Sequence, residues 1–196
     1  MNDRSKDYDA IIDEIDNINQ QDPRTDTWDG RTYAYEYLYS LRMTEALNQY
    51  YPQASTLLKI AAHGQHIKRW SLPRTEYSAD RKGYLIWRTE AKKMHCDILG
   101  SILSKYDFSD EEISQVSMYI MKSQMKSDEE SQALEDVVCL VFLKYYITDF
   151  IKDHEDDKVV SIIGKTWRKM SPKAHNEALK LDYEPRVFEL IKRALS

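Results

Sequence analysis

The sequence predicts an all-α fold, and three observations carry that prediction. Glycine and proline are scarce, five of each in 196 residues, which disfavours turn-rich β architecture. Apolar residues recur at helical spacing along most of the chain, beginning with Tyr8, Ile11, Ile12, Ile15 and Ile18. Ser109-Asp-Glu-Glu112 and Ser127-Asp-Glu-Glu130 have the form of capping boxes, in which a serine hydroxyl accepts from a backbone N–H and a glutamate reaches back. The length suits one domain with a sizeable core and is short for two, so residues 1–196 are expected to form a single helical bundle.

The first helix carries Tyr8 to Ile18 and ends at the polar stretch QQDPRTDTWDGR, read as a loop. A second runs from about Tyr33 to Gln49 and is closed by Tyr51-Pro52, because the residue before proline is biased away from helical geometry. The third spans Ala54 to about Lys68. A connection of fourteen residues, Ser71–Tyr84, follows; loops this long in compact domains are often lids or binding loops, and this one is expected to lie over a cleft. A long helix, Leu85–Lys105, buries Ile86, Met94, Ile98, Leu99, Ile102 and Leu103. Ser109 starts a helix that reaches about Met125, and Ser127 starts the most apolar one, Asp128–Asp153, with Glu135 and Asp136 at its leading edge. VVSIIGKTWRKM makes a helix with a basic end, Ser171-Pro172 supplies an N-cap and a first-turn proline, and Arg186–Leu195 is the last helix.

The net charge of -5 argues against a protein that binds nucleic acid over its whole surface, while leaving room for a local basic cleft. Cys96 and Cys139 form no CxxC pair, so neither a zinc ribbon nor a disulfide framework is expected. The N-terminus mixes acidic with apolar residues, unlike a secretory signal, and the most apolar window, Val137–Leu143, is far shorter than the ~20 residues that span a bilayer. A cytoplasmic protein with no membrane partner is the expectation.

Chemistry is densest in Ala61–Arg74, AAHGQHIKRWSLPR, which places His63 and His66 three apart and follows them with Lys68, Arg69, Trp70 and Arg74. A divalent ion such as Zn, Fe, Mn or Ni takes imidazole and carboxylate donors that converge from different helices. His66, His95 and Asp136 lie on three separate expected helices and form the candidate ligand set, with His63 as a fourth ligand or proton relay. Against each stands an ordinary role: a hydrogen-bonded core histidine, or an acid in a salt bridge. Arg69, Arg74 and Arg88 flank Trp70, Tyr77, Tyr84 and Trp87, and guanidinium groups beside aromatic rings suit phosphate binding and base stacking. Lys68 and Trp70 join them as candidate substrate-binding residues. No GxSxG elbow and no Gly-rich phosphate loop is present.

The AAHGQHIKRW run, the PR..Y...GY..WR pattern after it, LEDVVCLVFL and KTWRKM together resemble an uncharacterised family defined only as a domain of unknown function, over most of the chain. A more distant resemblance is to the histidine-aspartate (HD) metal phosphohydrolases, helical bundles whose ligands follow the order H...HD...D. In that frame Tyr39 stands where the first histidine belongs and Gln65-His66 where the His-Asp pair belongs, while His95 is similar to an additional histidine and Asp136 to the terminal aspartate. This resemblance implies an HD-like bundle and a metal-dependent hydrolase of a phosphorylated, nucleotide-like small molecule. The departures at Tyr39 and Gln65 leave open the alternative of a non-catalytic module that binds a nucleotide or an RNA end.

Overall fold

The computed structural model of the chain describes residues 4–122 and 128–196. It is mostly helical, with ten α-helices and one two-stranded sheet among the described residues. Packing divides it into two compact units, Met1–Gln124 and Met125–Ser196. No helix among the described residues is long and apolar enough to cross a membrane.

The first unit contains α1 (Arg4–Asn19), a hairpin of β1 (Thr25–Trp28) and β2 (Arg31–Ala34), α2 (Tyr35–Tyr50), α3 (Thr56–His63), α4 (Arg81–Lys105) and α5 (Asp110–Met121). Ile11, Ile15, Leu38, Met43, Leu58, Ile60, Leu99 and Leu103 are fully buried within it and supply its core. The stretch expected to be a loop is in fact this hairpin. Its strands pair antiparallel, Thr25 opposite Ala34 and Trp28 opposite Arg31. Asp29 and Gly30 turn the chain with φ of 49° and 72°, the left-handed conformations that a two-residue hairpin turn requires. The four-residue strands are too short and too polar to announce themselves by alternation, although the Asp-Gly pair is the turn signal.

α3 stops at His63, short of the expected Lys68, and Gly64 caps it. A Cβ at Gly64 would lie 2.6 Å from the buried Leu99 side chain, so the end of α3 packs against α4 at a distance only glycine allows. α4 in turn begins earlier than expected, at Arg81, because the Asp80 side chain accepts from the Gly83 N–H and caps it. The fourteen-residue connection is thereby shortened and includes a 3-10 turn at Arg74–Glu76.

The Ser109 capping box forms in full, with the Glu112 N–H donating to Ser109 Oγ and the Ser109 N–H to the Glu112 carboxylate. α5 ends at Met121, where Lys122 turns left-handed at φ 58°. Met125 and Ser127, named above as a helix end and a helix start, lie outside the described residues.

In the second unit Asp128 caps α6 (Glu129–Val141), accepting from the Ser131 N–H. A π turn, Phe142–Tyr146, joins it to α7 (Ile147–Phe150), and a 3-10 turn closes the run at Asp153. α8 (Asp156–Trp167), α9 (Pro172–Ala178) and α10 (Pro185–Leu195) follow, the last two with proline in the first turn. Ser171 caps α9 as expected.

Candidate functional site

The turn between α3 and α4 is held open by an asparagine from α1. Asn19 is wholly buried; its Oδ1 accepts the Lys68 N–H at 3.0 Å and its Nδ2 donates to Ser40 Oγ at 2.9 Å. Lys68 is left-handed at φ 55°, which turns the backbone sharply between His66 and Arg69. The two side chains are brought together there: Arg69 Nη1 is 2.5 Å from His66 Nε2 and 3.1 Å from Nδ1. The shorter contact assigns the lone pair to Nε2, as a neutral imidazole has one acceptor nitrogen.

Three rings frame this pair. Tyr39 stacks on His66 with centroids 4.0 Å apart, in the position where the HD pattern has histidine. The Arg69 guanidinium lies 4.7 Å from the centroid of Trp87, whose indole N–H is anchored on the Leu72 carbonyl. His95 sits 6.2 Å from His66, and its Nδ1–H donates to the Ile67 carbonyl at 2.8 Å, leaving the lone pair on Nε2.

A second layer comes from residues the sequence reading passed over. Glu36, at the start of α2, is 1% exposed. Its Oε1 accepts from Arg24 Nη2 at 2.8 Å, while its Oε2 lies 3.3 Å from His66 Nδ1 and lacks a hydrogen-bond partner among the described residues. Arg24 is itself held by Asp22, through Nε at 3.0 Å and Nη2 at 2.7 Å, and its guanidinium lies over Tyr35.

Burial, reinforced by the charges of Arg69, Lys122 and Arg24, holds His66 well below the usual imidazole range. Burial, then His66 and Arg69, takes His95 down to about 3. Burial raises the Glu36 carboxyl, against the opposing pull of Arg69 and Arg24. Both rings are therefore neutral near pH 7; the His66 lone pair is taken by Arg69, and that of His95 is unengaged among the described residues.

The other sequence candidates take different places. His63 does not share a face with His66, because the helix has ended between them. Its Nε2–H donates to Asp16 Oδ1 at 2.7 Å and its Nδ1 accepts from Thr44 Oγ1 at 2.8 Å, a buried tie among α1, α2 and α3. Arg74 folds back onto its own connection, donating to the carbonyls of Tyr77, Ser78 and Asp80. Lys68 is exposed, Trp70 and Arg88 are half-buried, and Gln65 is buried with its Oε1 unpartnered among the described residues. Asp136 belongs to the second unit. It is fully buried there, accepting from Gln132 Nε2, the Ser171 N–H and the Ser171 hydroxyl, and so fastens the cap of α9. Among the described residues no three His, Cys, Asp or Glu side chains are grouped so as to hold a metal ion.

A family model described as "Domain of unknown function (DUF4202)" matches residues 9–191. No curated protein and no solved structure matches the chain.

Proposed function

The chain belongs to the DUF4202 family, a domain of unknown function, and we propose that its His66–Arg69 site binds a phosphorylated, nucleotide-like small molecule. One observation carries this reading: a half-buried guanidinium is fixed in place by a neutral imidazole on one side and an indole on the other. Among the described residues no carboxylate forms a salt bridge with Arg69, so its guanidinium retains its attraction for phosphate oxygens, and its planar fork suits them. Tyr84, exposed and tilted 5.9 Å from the buried Trp87 that carries Arg69, adds aromatic surface for a base. Binding without hydrolysis is the reading we favour. Arg69 occupies the His66 nitrogen that an ion would need, and the Asp136 carboxylate already accepts from Gln132 and from Ser171.

The second reading, a metal-dependent phosphohydrolase, is favoured by His95. A histidine whose Nδ1–H is bound to a backbone carbonyl, with Nε2 unengaged among the described residues, has the tautomer and orientation of a metal ligand. An ion of the Mn, Fe, Ni or Zn class would activate water or polarise a phosphoryl oxygen, and would require Arg69 to leave His66. Melting the chelator-treated protein with nucleoside mono-, di- and triphosphates, alongside elemental analysis and a phosphate-release assay, separates the two. Stabilisation by nucleotide without metal and without phosphate release supports the binding module. Retained metal with release that chelator abolishes supports the hydrolase.

A further inference from the structure

We propose that the exposed face of the first three turns of α4 docks an acidic amphipathic helix of a partner protein. This surface is separate from the His66–Arg69 site and does not depend on the phosphate-binding reading.

α4 buries Gly83, Trp87, Ala91 and His95 at every fourth position, which leaves the other side of its first turns outside the core. Leu85 and Ile86 lie there, 48% and 43% exposed, although the sequence pattern puts Ile86 in the buried stripe. Helical spacing surrounds this aliphatic pair with cations. Arg81 stands four residues before Leu85 and Arg88 three after it, while Lys82 stands four before Ile86 and Lys93 seven after it. Among the described residues no hydrogen bond or ion pair engages any of these four side chains. The acids beside them on the helix are engaged elsewhere: Asp80 caps α4 through the Gly83 N–H, and Glu90 accepts from the Tyr77 hydroxyl.

Two of these cations stand where a helix least favours them. Aligned peptide dipoles make the first turn positive, so acids stabilise it and cations weaken it. α5, α6 and α8 each open with two or three acids, whereas α4 opens with Arg81 and Lys82 and has no acid in its first turn. In a chain of net charge -5, a positive patch kept against the dipole is offset by an anionic partner.

The aliphatic pair identifies that partner. Leucine and isoleucine offer no flat face on which a base could stack, and two half-exposed side chains are too little apolar surface to hold a bilayer. Residues 81–93 span about 20 Å of one helix, which matches a second helix lying alongside. Its apolar residues at i, i+3 and i+4 would cover Leu85 and Ile86 while flanking Asp and Glu meet the cations.

Selection from a displayed library of short helical peptides, with the full chain as bait and fluorescence anisotropy on the peptides recovered, tests this. Recovered peptides are expected to combine Asp or Glu with Leu, Ile or Phe at helical spacing. Their binding should weaken at least about tenfold in Arg81→Glu/Lys82→Glu and in Leu85→Ser/Ile86→Ser. The charge variant should melt no lower than the wild type, because its new acids suit a helix N-terminus, and this separates lost docking from lost folding. No recovered peptide, peptides without acids, or peptides that bind both variants as tightly as the wild type overturn the proposal. So does tighter binding of phosphatidylserine vesicles or of an RNA oligonucleotide, or sedimentation in which the wild type self-associates and the charge variant does not.

Discussion

The Asn19 carboxamide holds the Lys68 N–H at 3.0 Å across 49 residues of sequence, and this bond fixes the turn that carries both His66 and Arg69. Asn19→Ala leaves a left-handed backbone N–H without its partner and Ser40 without its donor. The variant should lose about 1–3 kcal/mol of stability in urea unfolding, and phosphate affinity should fall with it although Asn19 bonds neither His66 nor Arg69. Unchanged affinity would show that the turn keeps its shape without this bond.

Gly64→Ala should destabilise the first unit by about 1–3 kcal/mol, since its Cβ would overlap the buried Leu99 side chain. Coupling it with Leu99→Ala tests the cause, as the smaller residue should recover part of the loss. Two purely additive effects would place the strain elsewhere.

Ser171 links two bonds in series, accepting from the Ala174 N–H while its hydroxyl donates to the buried Asp136 carboxylate at 2.5 Å. Ser171→Ala removes the cap of α9 and one partner of a buried charge, so a loss of about 2–3 kcal/mol is expected. Chemical denaturation followed by helical circular dichroism reads it. A loss within a few tenths of a kcal/mol would mean that Asp136 is satisfied without this hydroxyl.

His95 and His66, both held below the usual imidazole range, contribute to the response to acid in the same sense. For His95 the window is defined. Its folded pKa is about 3 against an ordinary 6.5, so between these values the unfolded chain binds a proton that the folded one does not. Stability contributed by neutral His95 is present above pH 6.5 and is lost as pH falls toward 3, by up to about 1.4 kcal/mol per pH unit. Buried Glu36, with its pKa raised, works in the opposite sense, losing stability as pH rises above the ordinary carboxyl value. His95→Gln should flatten the acid limb of stability against pH, measured by urea midpoints from pH 7 to 4. An unaltered slope would assign acid sensitivity to other groups.

Much of the helical order was legible in the sequence because caps are local. Ser109 with Glu112, and Ser171 with Pro172, act within a single turn, and both behave as their spacing implies. The hairpin was not legible, since its four-residue strands alternate too little and only Asp29-Gly30 marks it. At the site, the sequence singled out His66, Arg69 and His95, and the structure brings these three side chains near one another, although no metal-ligating group forms among the described residues. It missed Asn19, Asp22, Arg24 and Glu36, which reach His66 or its turn only through tertiary packing. It also grouped His63 with His66 by assuming a helix that Gly64 ends.

The most direct measurement is the calorimetric Kd of chelator-treated protein for a nucleoside diphosphate, compared with that of Arg69→Ala. The predicted result is metal-independent binding that weakens by about 10- to 100-fold in the variant, the worth of a charge-assisted hydrogen bond. Equal affinity in the two proteins, or binding that appears only when a divalent ion is restored, would contradict the account.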